Sequence, residues 1–252
     1  MKTLNCSDVD IIQKKSAHSG FFKINQYILQ HRKFDGKKTS ELSRECFERG
    51  HAVGVLAYDP WQDSIVLLEQ FRIGAYVYGQ ELYTESHQHT ESLQHIESHQ
   101  HIESHQHIES HQHIESHQLN NAGQQNSPWL LEIIAGIVDP GESQIEVAHR
   151  EAEEEAGIQL LALETIGDFY SSPGGSSETT QLYCACVNSD GVGGIYGLPE
   201  EGEDIRVMVV SFNDAVQLLK DGRLNNASAM IAMQWLMLNR DELRTKWQRS
   251  DF

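Results

Sequence analysis

Positive charge is scarce in this chain of 252 residues. Lysine and arginine together number 19 against 37 aspartates and glutamates, a net charge of −18. Nucleic acid is held through its phosphates by a basic face, so no nucleic-acid partner is expected. The same deficit argues against docking on an anionic membrane surface. Long apolar runs are missing too. None approaches the roughly 20 residues of a membrane span, and Met1–Gln13 has no apolar core like that of a secretory signal. There are only four cysteines, Cys6, Cys46, Cys184 and Cys186, with neither a CxxC pair nor metal-finger spacing. They read as buried small residues in a reducing cytoplasm, with Cys184 and Cys186 on one face of a strand. The apolar fraction, 39%, is low for a globular chain, yet the length suffices for one large domain or two small ones with a real core.

What depresses the composition is a repeat. From Glu85 to Gln118 a hexad of the type Glu-Ser-His-Gln-His-Ile recurs, holding ten of the 14 histidines and six glutamates but no Asp, Lys or Arg. Ile96, Ile102, Ile108 and Ile114 recur every six residues, which fits neither a 3.6-residue helical stripe nor a heptad. The apolar content is too small to offset the entropy of ordering, so the segment reads as a polar loop. A histidine-rich metal sink is the alternative reading.

Elsewhere the pattern alternates between strand and helix signals. Phe22–His31 reads as a strand, with Asp35-Gly36 as a turn after it. Ala52–Tyr58, Ser64–Glu69, Trp129–Ile134, Thr165–Tyr170, Thr179–Val187 and Ile205–Val210 read as further strands. Helices are predicted over Ser143–Ala156, stopped by Gly157, after Ser211 through Lys220, and over Ala227–Leu238 after Asn226. Strands with helices late in the chain suggest a sheet sandwiched between helices.

The chemistry is concentrated between Gly136 and Ile158. On a helix, Glu151 and Glu155 lie about 40° apart, with Glu154 about 60° to the other side of Glu151. Three carboxylates on one face repel one another unless a cation compensates, and hard divalent cations take oxygen ligands. Arg150 sits among these acids and can pair with one of them bidentately. Glu142, eight residues earlier, is a partner within reach. A plain solvated acidic helix face would look similar, so spacing has to decide.

That spacing resembles the Nudix box, G-x5-E-x7-R-E-U-x-E-E-x-G-U with U a bulky apolar residue. Gly136, Glu142, Arg150, Glu151, Glu154, Glu155, Gly157 and Ile158 fit, and Ala152 is a weak U. The resemblance extends to bacterial ADP-ribose pyrophosphatases. It runs through Arg44-Glu-Cys-Phe-Glu-Arg49-Gly-His51, Leu68-Glu-Gln-Phe-Arg72, Pro128-Trp-Leu-Leu-Glu132, Ser172-Pro-Gly-Gly-Ser-Ser-Glu178, Gly197 to Arg206, and Asn225 to Leu236. Pro173, 16 residues beyond Gly157, matches the position that marks the ADP-ribose subgroup.

The resemblance implies an α/β fold, a Nudix α/β/α sandwich with a mixed sheet and an N-terminal β region contributing to a dimer. It implies an N-terminal β region at 1–50 with dimer and substrate contacts, and a hydrolase domain at 51–240. That domain is interrupted at 79–126 by the repeat-bearing insertion, and a tail follows at 241–252. The implied activity is hydrolysis of ADP-ribose to AMP and ribose 5-phosphate with Mg²⁺, or Mn²⁺ as substitute. The implied metal ligands are the Ala135 carbonyl, Glu151, Glu155 and Glu203, supported by Gly136, Glu142, Arg150 and Glu154. Glu201 is the implied general base. Substrate contacts would come from Arg72, Ser172, Pro173, Gly174 and Glu178, and from partner-chain residues corresponding to Phe21, Phe22, Arg44, Glu45 and Arg49. The rival readings are another nucleoside diphosphate sugar such as GDP-mannose, a non-catalytic ADP-ribose-binding domain, and a histidine-rich metal-binding protein on an inert scaffold.

Overall fold

The computed structural model describes residues 3–81 and 127–250, apart from the side chain of Glu201; the hexad repeat lies outside the described residues. Two sheets form. The first is an antiparallel meander of β1 (Val9–Ser19), β2 (Lys23–His31) and β3 (Leu42–Glu48). The second is an eight-stranded mixed sheet of β4 (Ala52–Asp59), β5 (Ser64–Phe71), β6 (Trp129–Glu132), β7 (Ile134–Ile137), β8 (Ala162–Tyr170), β9 (Thr179–Cys186), β10 (Gly194–Tyr196) and β11 (Ile205–Ser211). Its main path runs β10-β11-β5-β4-β9-β8, with β6 paired to β5 and β7 to β4. Within this sheet of the described residues, β4 and β9 are the parallel pair.

Alternation along the central strands divides the core in two. Val53, Val55 and Ala57 of β4, with Tyr183 and Ala185 of β9, face α1 (Gln144–Ala156) and its Val147, Ala148, Ala152 and Ala156. Leu56 and Tyr58, with Leu182, Cys184 and Cys186, face α2 (Phe212–Lys220) and α3 (Ala227–Trp247). This is the expected sandwich of a mixed sheet between helices. Both cysteines of β9 are free and buried in the second core, where burial pushes their thiols well above the ordinary value. Against expectation, Cys6 is exposed and Cys46 only half-buried, because they lie in an N-terminal region that contributes to neither core.

Local signals explain the helix ends. Ser143 caps α1, and Glu146 returns the bond to the Ser143 N–H at 2.8 Å. Gly157, at φ 64 and ψ 29, closes it in the left-handed region. Ser211 and Asn226 cap α2 and α3 as expected.

Three features differ from the sequence reading. The long exposed strand β1 precedes the expected first strand. Trp129–Ile137 is two strands, β6 and β7, broken at Ile133, because they pair with different neighbours. Helix α3 continues past Leu238 to Trp247, through part of what was expected as a tail. Leu243 and Trp247 are buried there, and Arg240 pairs with Asp63, which also accepts the Tyr58 hydroxyl at 2.8 Å.

The three N-terminal strands contain no buried residue. They join the larger body at Phe47, whose N–H donates to the Gly175 carbonyl at 2.8 Å and whose carbonyl accepts the Ser177 N–H at 3.1 Å.

The repeat falls between β5 and β6, which are adjacent antiparallel partners: Phe71 faces Trp129 and their rings meet at 5.6 Å. Residues 73–81 leave β5 as a helix. The connection is thus closed by strand pairing that does not involve the repeat. Closure entropy grows only logarithmically, so about 34 extra residues cost little more than 1–2 kcal/mol. Deleting Glu85–Gln118 is therefore expected to leave the thermal unfolding midpoint within a few degrees and any catalytic rate within a few-fold. It should also remove most retention on immobilised Ni²⁺, since the segment holds most of the histidines. A deletion variant that folds but has lost its activity would show that the repeat shapes the site.

Candidate active site

Helix α1 brings its acidic face against β7. Glu155 accepts the Ala135 N–H through Oε2 at 2.9 Å. Glu151 lies directly on Gly136, where even a methyl group would collide with its carboxylate. Glycine at 136 is thus a requirement of packing, because it lets helix and strand approach closely enough for both carboxylates to enter one cavity.

Arg150 organises the charges around this contact. Its Nε and Nη2 reach the two oxygens of Glu142 at 3.1 and 3.2 Å. Its Nη1 reaches Glu151 at 2.8 Å and Glu154 at 3.0 Å. One guanidinium thereby serves three carboxylates, the bidentate partner being Glu142 as the spacing suggested. From the opposite side comes Glu203, whose Oε2 accepts the Leu198 N–H at 3.0 Å. Arg72, just beyond β5, donates Nε and Nη2 to Oε2 of Glu132 at 2.9 and 2.6 Å.

All of these residues but Glu142 line a cavity of about 940 Å³, large enough for a nucleotide-sized ligand. Its walls are electrostatically strained. Burial pushes the Glu155 carboxyl up to about 8, and Glu151 and Glu203 push in the same direction against the relief from the Ala135 N–H and Arg72. Burial likewise pushes Glu151 up to about 7, with Arg150 opposing and Glu154 and Glu203 adding. Among the described residues, no three acidic, histidine or cysteine side chains already converge at metal-binding geometry. Glu151 is turned to Arg150, and Glu155 to the Ala135 N–H. The donor set itself consists of carboxylate and carbonyl oxygens, which fits a hard divalent cation. Added positive charge would also relieve the repulsion that raises both carboxyls.

The cavity brings together most of the residues singled out in the sequence. Ala135, Gly136, Arg150, Glu151, Glu154, Glu155 and Glu203 line it, and so do Arg72 and Glu178. At its N-terminal edge stand Phe21, Phe22 and Arg49 of the same chain. Phe22 packs edge-on to Phe47 at 5.0 Å, with the Arg49 guanidinium 6.0 Å from its ring centre. Glu142 stands behind Arg150 and is not part of the wall. Ser172, Pro173 and Gly174 belong to the turn that Phe47 holds and do not themselves line the cavity, although the preceding Ser171 does. Arg44 and Glu45 are exposed on β3, away from it. The side chain of Glu201 lies outside the described residues; its backbone closes the turn Pro199–Glu201, two residues before Glu203. Glu132, Thr180 and Asn226 also line the cavity and were not singled out as site residues. Each is a polar residue on or beside an apolar element, and only the tertiary structure turns it inward.

Comparison with known proteins agrees with this geometry. The NUDIX domain family matches residues 110–232. The ADP-ribose pyrophosphatase of Escherichia coli (strain K12) is 36% identical over 245 residues, covering 97% of this chain and 95% of that protein. The GDP-mannose pyrophosphatase of Pectobacterium atrosepticum is 25% identical over 232 residues, covering 90% and 93%. A crystal structure of an ADP compounds hydrolase superposes with a TM-score of 0.56 at 18% identity, covering 95% of this chain and 98% of that one, a likeness of fold.

The raised carboxyls have a consequence for stability. A carboxyl whose folded-state value exceeds its unfolded value withdraws stability as pH rises between the two. For Glu155 that window runs from the ordinary glutamate range up to about 8. Glu155→Gln is therefore expected to stabilise the metal-free protein at pH 8 by on the order of 1–3 kcal/mol and to have little effect near pH 4.5. Urea unfolding in the presence of a chelator at the two pH values checks this. A variant destabilised equally at both would mean that the charge of Glu155 carries no cost.

Proposed function

This chain belongs to the Nudix family, among the relatives of the ADP-ribose pyrophosphatases, and on that premise we propose that it hydrolyses the diphosphate bond of ADP-ribose to AMP and ribose 5-phosphate. The observation that carries the reading is that one cavity gathers the box carboxylates Glu151 and Glu155, the loop carboxylate Glu203 and Arg72, with Phe21 and Phe22 at its edge.

We assign Mg²⁺, with Mn²⁺ as substitute, to the Ala135 carbonyl, Glu151, Glu155 and Glu203. When bound, it supplies Lewis-acid polarisation of the diphosphate and compensates the developing charge. Arg150 and Glu142 hold Glu151 and Glu154 in register, and Gly136 keeps the space in which Glu151 lies. Arg72 neutralises a phosphate oxygen. Phe21 and Phe22 offer faces for a base to stack on, with Arg49 and Glu178 beside them. Glu201 is assigned as general base, accepting the proton of the attacking water as its oxygen bonds to phosphorus and the other phosphate leaves. The Ser172–Gly174 turn shapes the wall from behind. No direct contribution is assigned to Arg44 or Glu45 in the chain's own cavity; as exposed residues of β3, they remain available to the cavity of a partner.

A homodimer is part of this reading. A three-stranded sheet without a buried residue is an incomplete layer. Residues 1–50 hold ten of the 19 Lys and Arg but six of the 37 acidic residues, so a basic sheet is available to an acidic body of a second copy. We also propose the domain division at residue 50, with 51–240 as the hydrolase domain around the insertion. A cytoplasmic location is supported by the four free thiols. No helix among the described residues is long and apolar enough to cross a membrane.

ADP-ribose is preferred over GDP-mannose because the ADP-ribose pyrophosphatase relative is the more similar of the two. The strained but intact acid cluster favours an enzyme over a binding module, since binding alone would not need it.

A panel of nucleoside diphosphate sugars, assayed for nucleotide release, tests the proposal. ADP-ribose should exceed GDP-mannose in kcat/KM by at least about tenfold, equivalent to about 1.4 kcal/mol. The reverse order would reassign the substrate, and no turnover of any member would remove the enzymatic reading. Glu151→Gln and Glu155→Gln should each leave less than about a tenth of the rate at saturating Mg²⁺. Glu201→Gln should lower kcat by about 10²–10⁴ with little change in KM. If Glu203→Gln gives that clean rate defect and Glu201→Gln is nearly silent, base and ligand have been exchanged.

A further inference from the structure

Two polar side chains outside the box stand between the arginine side and the helix side of the cavity. Gln70 lies on β5, 6% exposed, two residues after the core residue Leu68 and on the same α1-facing side of the sheet. Glu132 ends β6. Gln70 is paired in register with Leu130, and Leu68 with Glu132, so Gln70 and Glu132 are diagonal neighbours on one face. Such neighbours lie within reach of each other's long side chains.

The hydrogen bonds link the two halves of the site. Oε2 of Glu132 accepts both Arg72 donors, at 2.9 and 2.6 Å, and also faces the Gln70 amide nitrogen at 3.3 Å. The same amide nitrogen lies 3.5 Å from Oε1 of Glu155, whose other oxygen is taken by the Ala135 N–H. An amide –NH₂ has two hydrogens and can offer one to each carboxylate. An apolar residue there would leave Oε1 of the buried Glu155 without this donor and Glu132 with Arg72 alone, and a carboxylate would add a third charge to the repulsion.

We propose that Gln70 and Glu132 are positioning residues that couple Arg72 to the box carboxylate Glu155. Glu132 fixes the Arg72 fork, and Gln70 sets the spacing between Glu132 and Glu155. The proposal rests on the functional reading above, in which Arg72 meets the diphosphate and Glu155 meets the cation. It implies that cation affinity and substrate affinity are tied through one buried amide.

The test compares wild type with Gln70→Met, which keeps the length but loses the donor, and with Gln70→Asn, which retracts the amide by one methylene. Mn²⁺ binding without substrate, followed by the electron paramagnetic resonance of free Mn²⁺, is measured alongside KM and kcat for ADP-ribose at saturating Mg²⁺. Both variants should weaken Mn²⁺ binding and raise KM, each by about 5–10-fold, the loss of an ordinary hydrogen bond, since these contacts are long, while kcat changes less than KM. Glu132→Gln should raise KM about tenfold by the same reasoning, and adding Gln70→Met to it should raise KM by clearly less than it does alone. A purely structural role would lower the unfolding temperature without moving the Mn²⁺ dissociation constant. If the variants that fold keep wild-type Mn²⁺ affinity and KM, the coupling is refuted. If wild type itself neither binds Mn²⁺ nor hydrolyses ADP-ribose, it is the functional reading that fails.

Discussion

Carboxylates gathered in a partly buried cavity cannot all stay ionised at low cost without compensating charge, and the site is organised around that constraint. Arg150 is the compensation the chain itself supplies, shared among Glu142, Glu151 and Glu154. It does not reach Glu155, the most deeply buried of the acids, which has only the Ala135 N–H, the long contact to Gln70 and the field of Arg72. The arrangement is therefore under-neutralised by the protein alone. Buried ionisable groups of this kind concentrate at functional sites because the cost of holding them is repaid when the missing charge arrives.

The scaffold tolerates that cost because the cluster rests on two fully packed cores. Interleaved with the acids, Val147, Ala148, Ala152 and Ala156 of α1 are buried against the sheet. The opposite side of the same sheet is sealed by α2 and α3, down to Trp247. The acidic helix is thus held by apolar contacts independent of its charges, and its termini are fixed by the Ser143 cap and Gly157. The N-terminal sheet is held less firmly. Its backbone meets the rest of the chain at Phe47 and the turn beyond Ser171, and its first strand is exposed throughout. This gives the aromatic edge of the cavity a different mechanical support from its acidic wall.

How far the sequence could be read follows from how local each signal is. The helix α1, its caps and the Arg150–Glu142 pair were legible because every participant lies within 16 residues of the others. The central strands were legible from their apolar runs. Strand β1 was not, because Val-Asp-Ile-Ile-Gln-Lys-Lys-Ser-Ala-His-Ser alternates poorly and buries nothing. The end of α3 was hidden because Leu243 and Trp247 are isolated in a polar stretch, and they are buried by packing into a core built from distant residues such as Tyr58. Glu203 was singled out only through resemblance to a family, since an acidic loop looks like any solvated one. Gln70 and Glu132 lay within the segments that carry the family resemblance but had no legible role, as their meeting depends on the register of β5 against β6 across the intervening insertion.

The central claim is that the acid cluster is completed by a divalent cation rather than by protons. The direct measurement is the unfolding temperature of the wild-type protein with and without Mg²⁺ from pH 5.5 to 8.5. Near pH 5.5, Glu151 and Glu155 hold protons that a cation must displace; toward pH 8.5 they hold progressively fewer. The account predicts a Mg²⁺-induced rise that grows steadily across this range, with the metal-free protein losing stability as pH rises. A Mg²⁺ effect that is absent, or equal at every pH, would contradict it.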